Sequence, residues 1–229
     1  MPVLFSAMTP VKYIEFDFEK YLDSSKMTFG HLSFFDEWKR FWLNTFLKLD
    51  EDVKDYIQRF PGSNPIMQRI KNYPSLSDYE MFQFEHKTDS GSFYYHFNVE
   101  KMKYIIRNKN ISIEEIDLNH LYIDSTTPLL QNKLKDERLP FFIRMFGFNK
   151  PFICVDGNKR ITARIQHGEN TFKGYVFYPE DIQELFFGPI DYYFYVFHFE
   201  MELMYRQIKD FQGQEERVLQ VTQLHLQKN

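Results

Sequence analysis

The chain has 229 residues, enough for one large domain or two small ones with a substantial core. Hydrophobic residues make up 43% and aromatic ones 19%, with 26 Phe and 15 Tyr, so the expected core is thick with rings rather than aliphatics. A formal net charge of −4 excludes the basic footprint of a general nucleic-acid binder, and one cysteine, Cys154, excludes a disulfide framework and a cysteine-rich zinc or iron–sulfur site.

Met1 to Pro10 has neither a basic n-region nor a long apolar run, so no signal peptide is expected. Lys12 to Phe18 alternates apolar and acidic residues, the pattern of a half-buried strand. Ser33 reads as an N-cap, with Asp36 and Glu37 in the first turn. The helix it opens carries Phe34, Trp38, Phe41, Trp42, Thr45 and Phe46 inward and runs to about Lys48. A second helix is expected from about Asp50 to Phe60, stopped by Pro61-Gly62. Met81 to Glu85 and Phe93 to Val99, around Thr88-Asp89-Ser90-Gly91, carry a hairpin signal. A short helix over Glu100 to Asn108 follows and ends at a polar break.

Beyond the break, Ser112 to Leu118 alternates acidic and apolar residues, and Leu121 to Ile123 suits a strand. Glu114, Glu115 and Asp117 are expected to be solvated on an edge. Asp124 to Pro128 is a cap cluster, and Leu129 to Arg138 suits a helix with Leu130 and Leu134 four apart. Phe141 to Met145 is apolar, and Phe172 to Tyr178 reads as a closing strand. Asp191 to Phe211 reads as a buried amphipathic helix whose Asp191, Glu200 and Glu202 mark a solvated stripe. Gln212 onward is a polar tail or a last helix. The apolar segment Leu185 to Phe199 is broken by Gly188, Pro189 and Asp191, so no membrane span and a cytoplasmic location are expected. The expected class is α+β, with an N-terminal α+β region at 1–110, a site-bearing unit at 111–180 and a helical region at 181–229.

The chemistry concentrates at 151–165. Phe152 to Val155 runs straight into Asp156-Gly157-Asn158, a turn signal, followed by the basic pair Lys159 and Arg160 and by a helix over Ile161 to His167 with Gly168 at C′. A strand turning sharply into a helix leaves first-turn N–H groups without acceptors, and cationic neighbours complete an anion site. The competing reading is a tight turn in which Asp156 caps the helix and the basic pair faces solvent. Asp156 has a further role open to it, as a carboxylate on Mg²⁺ beside phosphates.

The order of elements at 111–180 resembles the nucleotide-binding unit of the ParB/sulfiredoxin superfamily, whose strand–Gly-x-x-Arg–helix box is similar to Gly157-Asn158-Lys159-Arg160. The resemblance spans under a third of the chain and implies a small mixed sheet with helices. It also implies a phosphate cradle for ATP or CTP with Mg²⁺. Gly157 would allow close backbone approach, the N–H groups of Asn158 to Arg160 would face phosphate, and Arg160 with Lys159 would neutralise it. Asp124 to Thr127, with Ser125 and Thr126, stands where a second ligand-contacting loop would lie. Asn158 occupies the place of sulfiredoxin's reactive Cys, so sulfinic-acid reduction is not expected, and no basic recognition helix supports specific DNA binding. The implied role is nucleotide binding, with hydrolysis or phosphotransfer as its chemistry. Asp156 to Arg160 also resembles the second half of the Fic/Doc motif, but Lys150 stands where its essential His would be and two extra residues precede Asp156. The seven His residues are dispersed without metal-ligand spacing, so no metal site is expected. A non-catalytic interaction protein of a mobile-element or defence system, with a protein partner, is the alternative function.

Overall fold

The computed structural model describes residues 2–5, 11–60, 81–124, 126–211 and 214–228. In chain order it contains β1 (Val3–Leu4), β2 (Lys12–Tyr13), α1 (Phe18–Asp23), α2 (Lys26–Phe29), α3 (Phe35–Arg59), β3 (Met81–Thr88) and β4 (Gly91–Asn98). Then come α4 (Val99–Asn108), β5 (Ser112–Asp117), β6 (Leu121–Tyr122), β7 (Phe141–Arg144), β8 (Phe152–Asp156), α5 (Asn158–Ile165) and β9 (Thr171–Phe177). The chain closes with α6 (Pro189–Asp210), α7 (Glu215–Gln220) and α8 (Gln223–Lys228). Separate helical and sheet regions place the protein in the α+β class.

Two compact units form, one from 1–79, 83–96 and 187–229, the other from 80–82 and 97–186. The compositional break at 108–111 therefore lies inside the second unit, and segments from both ends of the chain build the first.

The first unit has a core of rings. Trp38, Trp42 and Phe46 recur every fourth residue on α3, which lines them along one face, and all three are fully buried. Phe194 and Phe197 of α6 meet them, and Phe93 of β4 stacks on Phe194 with ring centroids 3.9 Å apart. The two helices expected at Ser33–Lys48 and Asp50–Phe60 are one 25-residue helix. Asp50 does not cap a new helix: its carboxylate accepts the Tyr13 hydroxyl at 2.9 and 2.7 Å and pairs with Lys54 at 2.7 Å. The strand expected over Lys12–Phe18 shrinks to Lys12–Tyr13, because Asp17 caps α1 by accepting the Lys20 N–H at 2.9 Å. The 81–99 hairpin forms, with Gly91 at φ 120° in its turn.

The acidic stripe expected on α6 is corrected. Asp191 and Glu200 are buried, while Glu202 pairs with Arg206 on the exposed side at 2.9 Å. Glu200 accepts three N–H groups, from Trp38 Nε1, from Trp42 Nε1 at 2.8 Å and from the Gln223 backbone. The region after Gln212 carries α7 and α8, and Gln223 ties α8 to that carboxylate.

The second unit is built on a curled mixed sheet of order β5-β9-β7-β8-β6. β5 lies antiparallel on β9, β9 parallel to β7, β7 antiparallel to β8, and β6 parallel to β8. Leu121, Phe142, Cys154, Phe172 and Val176 form one buried cluster with α5's Ile161. The α-helix expected at Leu129–Arg138 is instead a short 3₁₀ turn over Gln131–Lys135. Leu130 and Asp136 flank it in extended backbone, and the Arg138 guanidinium grips the Asp136 side chain at 2.9 and 2.7 Å, which competes with helical propagation. Glu114, on edge strand β5, accepts the Tyr178 hydroxyl at 2.9 Å; burial, with this carboxylate alongside, pushes Tyr178 up to about 12.

Candidate functional site

β8 delivers the box. Ile153, Cys154 and Val155 are buried, and pairing with β7 on one side and β6 on the other fixes where the strand ends. A bulge between Phe141 and Phe142 brings Phe141 opposite Asp156 at that end. Gly157 then takes φ 103°, ψ 6°, the left-handed conformation, as N-cap of α5. A Cβ at this position would lie 2.7 Å from Pro140 Cβ and 2.9 Å from Arg160 Nη2, so only glycine fits. At the far end, Glu169 N–H donates to Arg164 O and Gly168 N–H to Ile165 O, a Schellman closure with Gly168 at φ 87°.

Asn158 braces the turn. Its Nδ2 donates to Cys154 O at 2.9 Å and its Oδ1 accepts the Asp124 N–H at 3.1 Å. Asp124 in turn accepts the Thr126 N–H at 2.9 Å and the Thr126 hydroxyl at 2.7 Å. Asp124 thus contacts the box through its backbone N–H; Ser125 lies outside the described residues.

Asp156 does not cap α5, whose N-cap makes no side-chain hydrogen bond. Its Oδ2 instead accepts Arg160 Nη2 at 3.0 Å, a pairing four residues apart. Arg160 is not a solvent-facing cation either. It is 6% exposed, with Nη1 3.8 Å from Asp136 Oδ2, and among the described residues its Nε has no hydrogen-bond partner. Lys159 is the exposed member of the basic pair.

Asp136, Arg138, Pro140 and Arg164 complete the site and were not singled out from the sequence. Hydrogen bonds from Arg138 chiefly, with the Arg160 charge adding, hold Asp136 well below the usual carboxylate range. Arg164 Nη2 donates to Asp136 O at 3.3 Å. One signal was available: Arg160 and Arg164 stand four apart, on one face of α5. Burial pushes the Cys154 thiol up, which leaves it protonated and unsuited to nucleophilic work. Lys150, in the position of the Fic histidine, donates to Leu118 O and Leu121 O at 3.2 and 3.0 Å.

Chemically, the arrangement offers a helix N-terminus, a buried guanidinium already shared between two carboxylates, and cationic neighbours at Arg138, Lys159 and Arg164. Among the described residues no cluster of three metal-ligating side chains occurs, and no helix is long and apolar enough to cross a membrane. The fold and site define an α+β protein with a strand–glycine–helix box. No protein family model matches the chain, and no curated protein or solved structure matches it either.

Proposed function

We propose that the chain binds a nucleoside triphosphate, ATP or CTP with Mg²⁺, through its phosphates at Gly157–Arg160, as a ParB-like nucleotide hydrolase or phosphotransferase. One observation carries this reading: a left-handed Gly157 opens α5 directly behind a buried strand, with the Arg160 guanidinium folded against that turn. The first-turn N–H groups of Asn158, Lys159 and Arg160 precede the intrahelical ladder and are donors for phosphate oxygens. Lys159 adds a mobile point charge, Arg160 a planar fork. Mg²⁺ would enter with the phosphates, keeping most of its own waters, in keeping with how this ion is held.

Calorimetry with ATP, CTP and GTP in the presence of Mg²⁺ tests the reading. Wild type should give saturable heat with ATP or CTP. Arg160→Ala should lose roughly tenfold or more in affinity and Lys159→Ala a smaller factor. No response in wild type, or an undiminished one in Arg160→Ala, overturns it.

A second reading, a non-catalytic protein that binds a protein partner, draws on the pairing of Arg160 with Asp156 inside the molecule. A stable pulled-down partner whose binding ignores nucleotide would favour it. The strand at Phe152–Asp156 and the engaged Lys150 weigh against a Fic-like reading.

A further inference from the structure

Arginine carries five N–H donors in a fixed fork, and buried donors are normally all satisfied. Arg160 departs from that rule. Its side chain is 7% exposed, Nη2 meets Asp156 Oδ2 at 3.0 Å, and Nη1 is an ion-pair distance of 3.8 Å from Asp136 Oδ2. Its Nε, buried and without a hydrogen-bond partner among the described residues, is left over. Asp136 is itself gripped by Arg138, through Nε at 2.9 Å and Nη2 at 2.7 Å, so it cannot swing to satisfy Arg160. A Cβ on Gly157 would come within 2.9 Å of Nη2, so the guanidinium sits against the mouth of α5.

We infer that Asp156 and Asp136 form an internal lock on the anion site, holding Arg160 with carboxylates until a phosphate dianion displaces Asp156. This rests on the phosphate-binding reading above and names what regulates that site. A carboxylate approaching from one side meets Nη2 alone. A phosphate oxygen pair matches the parallel Nε and Nη2 donors and so satisfies the group the resting state leaves bare. The displaced Asp156 is a half-buried side chain, 21% exposed, that water can then solvate. The lock selects against monoanions, which offer Arg160 no more charge than the carboxylates already there.

The test is titration of the full chain with ATP–Mg²⁺ and with inorganic phosphate, in wild type, Asp156→Asn, Asp136→Asn and Glu137→Gln. Glu137 is an exposed carboxylate next to the lock and controls for the mere loss of a negative charge. Asp156→Asn should tighten binding roughly tenfold, Asp136→Asn about threefold, and Glu137→Gln by less than about twofold. The Arg160 Nε–H resonance should move on saturation in wild type. Should Asp156→Asn fail to fold by near-UV circular dichroism, Asp136→Asn and the Nε–H signal decide. If wild type binds and the lock variants bind no tighter than Glu137→Gln, or the Nε–H signal stays fixed, the lock is wrong while the phosphate site stands. If no variant binds either ligand, the phosphate reading fails and the lock with it.

Discussion

Gly157 and Gly168 bracket the same helix with similar positive φ, 103° and 87°, yet their surroundings differ completely. Alanine at Gly168 meets nothing within 4 Å and carries only the left-handed backbone penalty, about 1 kcal/mol. Alanine at Gly157 adds a 2.7 Å clash with Pro140, so its expected cost is about 3 kcal/mol. Chemical denaturation of the two variants measures the difference; equal losses would mean that Pro140 yields freely and the mouth of α5 is not closely packed. Asn158→Ala removes two hydrogen bonds, to Cys154 O and from the Asp124 N–H, and should cost about 2 kcal/mol in the same assay. These residues act by shaping the turn, whereas Lys159 and Arg160 supply its charge.

At the scale of elements, α6 sets the acid response of the first unit. His198 Nε2 accepts the Tyr21 hydroxyl at 2.6 Å while Nδ1 donates to Phe194 O at 2.7 Å, and His86 Nε2 lies 3.1 Å from the same hydroxyl. Burial pushes His86 down to about 4 and His198, with His86 adding repulsion, to about 3. Below the unfolded value of 6.5 the open chain takes up protons that the folded one refuses, so stability present at neutral pH drains away toward pH 3. Glu200, raised chiefly by burial, works the other way between its unfolded value and its elevated one. Urea midpoints should therefore fall by several kcal/mol equivalent between pH 7 and 4, and His86→Gln should flatten the slope; an unchanged profile would place the imidazoles in water. Much of this framework was legible from local pattern, including the 81–99 hairpin, the strand at Phe152–Val155 and the helix ended by Gly168. What was not legible depended on distant partners. Asp50 has the look of a cap until Tyr13, 37 residues earlier, claims it, and Glu200 reads as solvated until two tryptophans and Gln223 close on it. The Arg160–Asp156 pair was within reach, since a spacing of four on a helix start invites it.

On the scale of the whole molecule, the long excursion of the chain into the second unit runs from Phe97 to Phe186. The five-stranded sheet and α5 lie wholly within 97–186, so that fragment should give a dispersed amide spectrum on its own, and a collapsed spectrum would show that it depends on the rest of the chain. Removing 187–229 strips Phe194 and Phe197, both fully buried, from the ring core and should unfold the first unit. The phosphate-binding proposal therefore concerns one unit and can be read amide by amide. Titrating the ¹⁵N-labelled chain with ATP–Mg²⁺ or CTP–Mg²⁺ should shift the backbone N–H signals of Asn158, Lys159 and Arg160 saturably and ahead of all others. Signals that stay in place at saturating nucleotide, or that move only outside 156–160, would contradict the account.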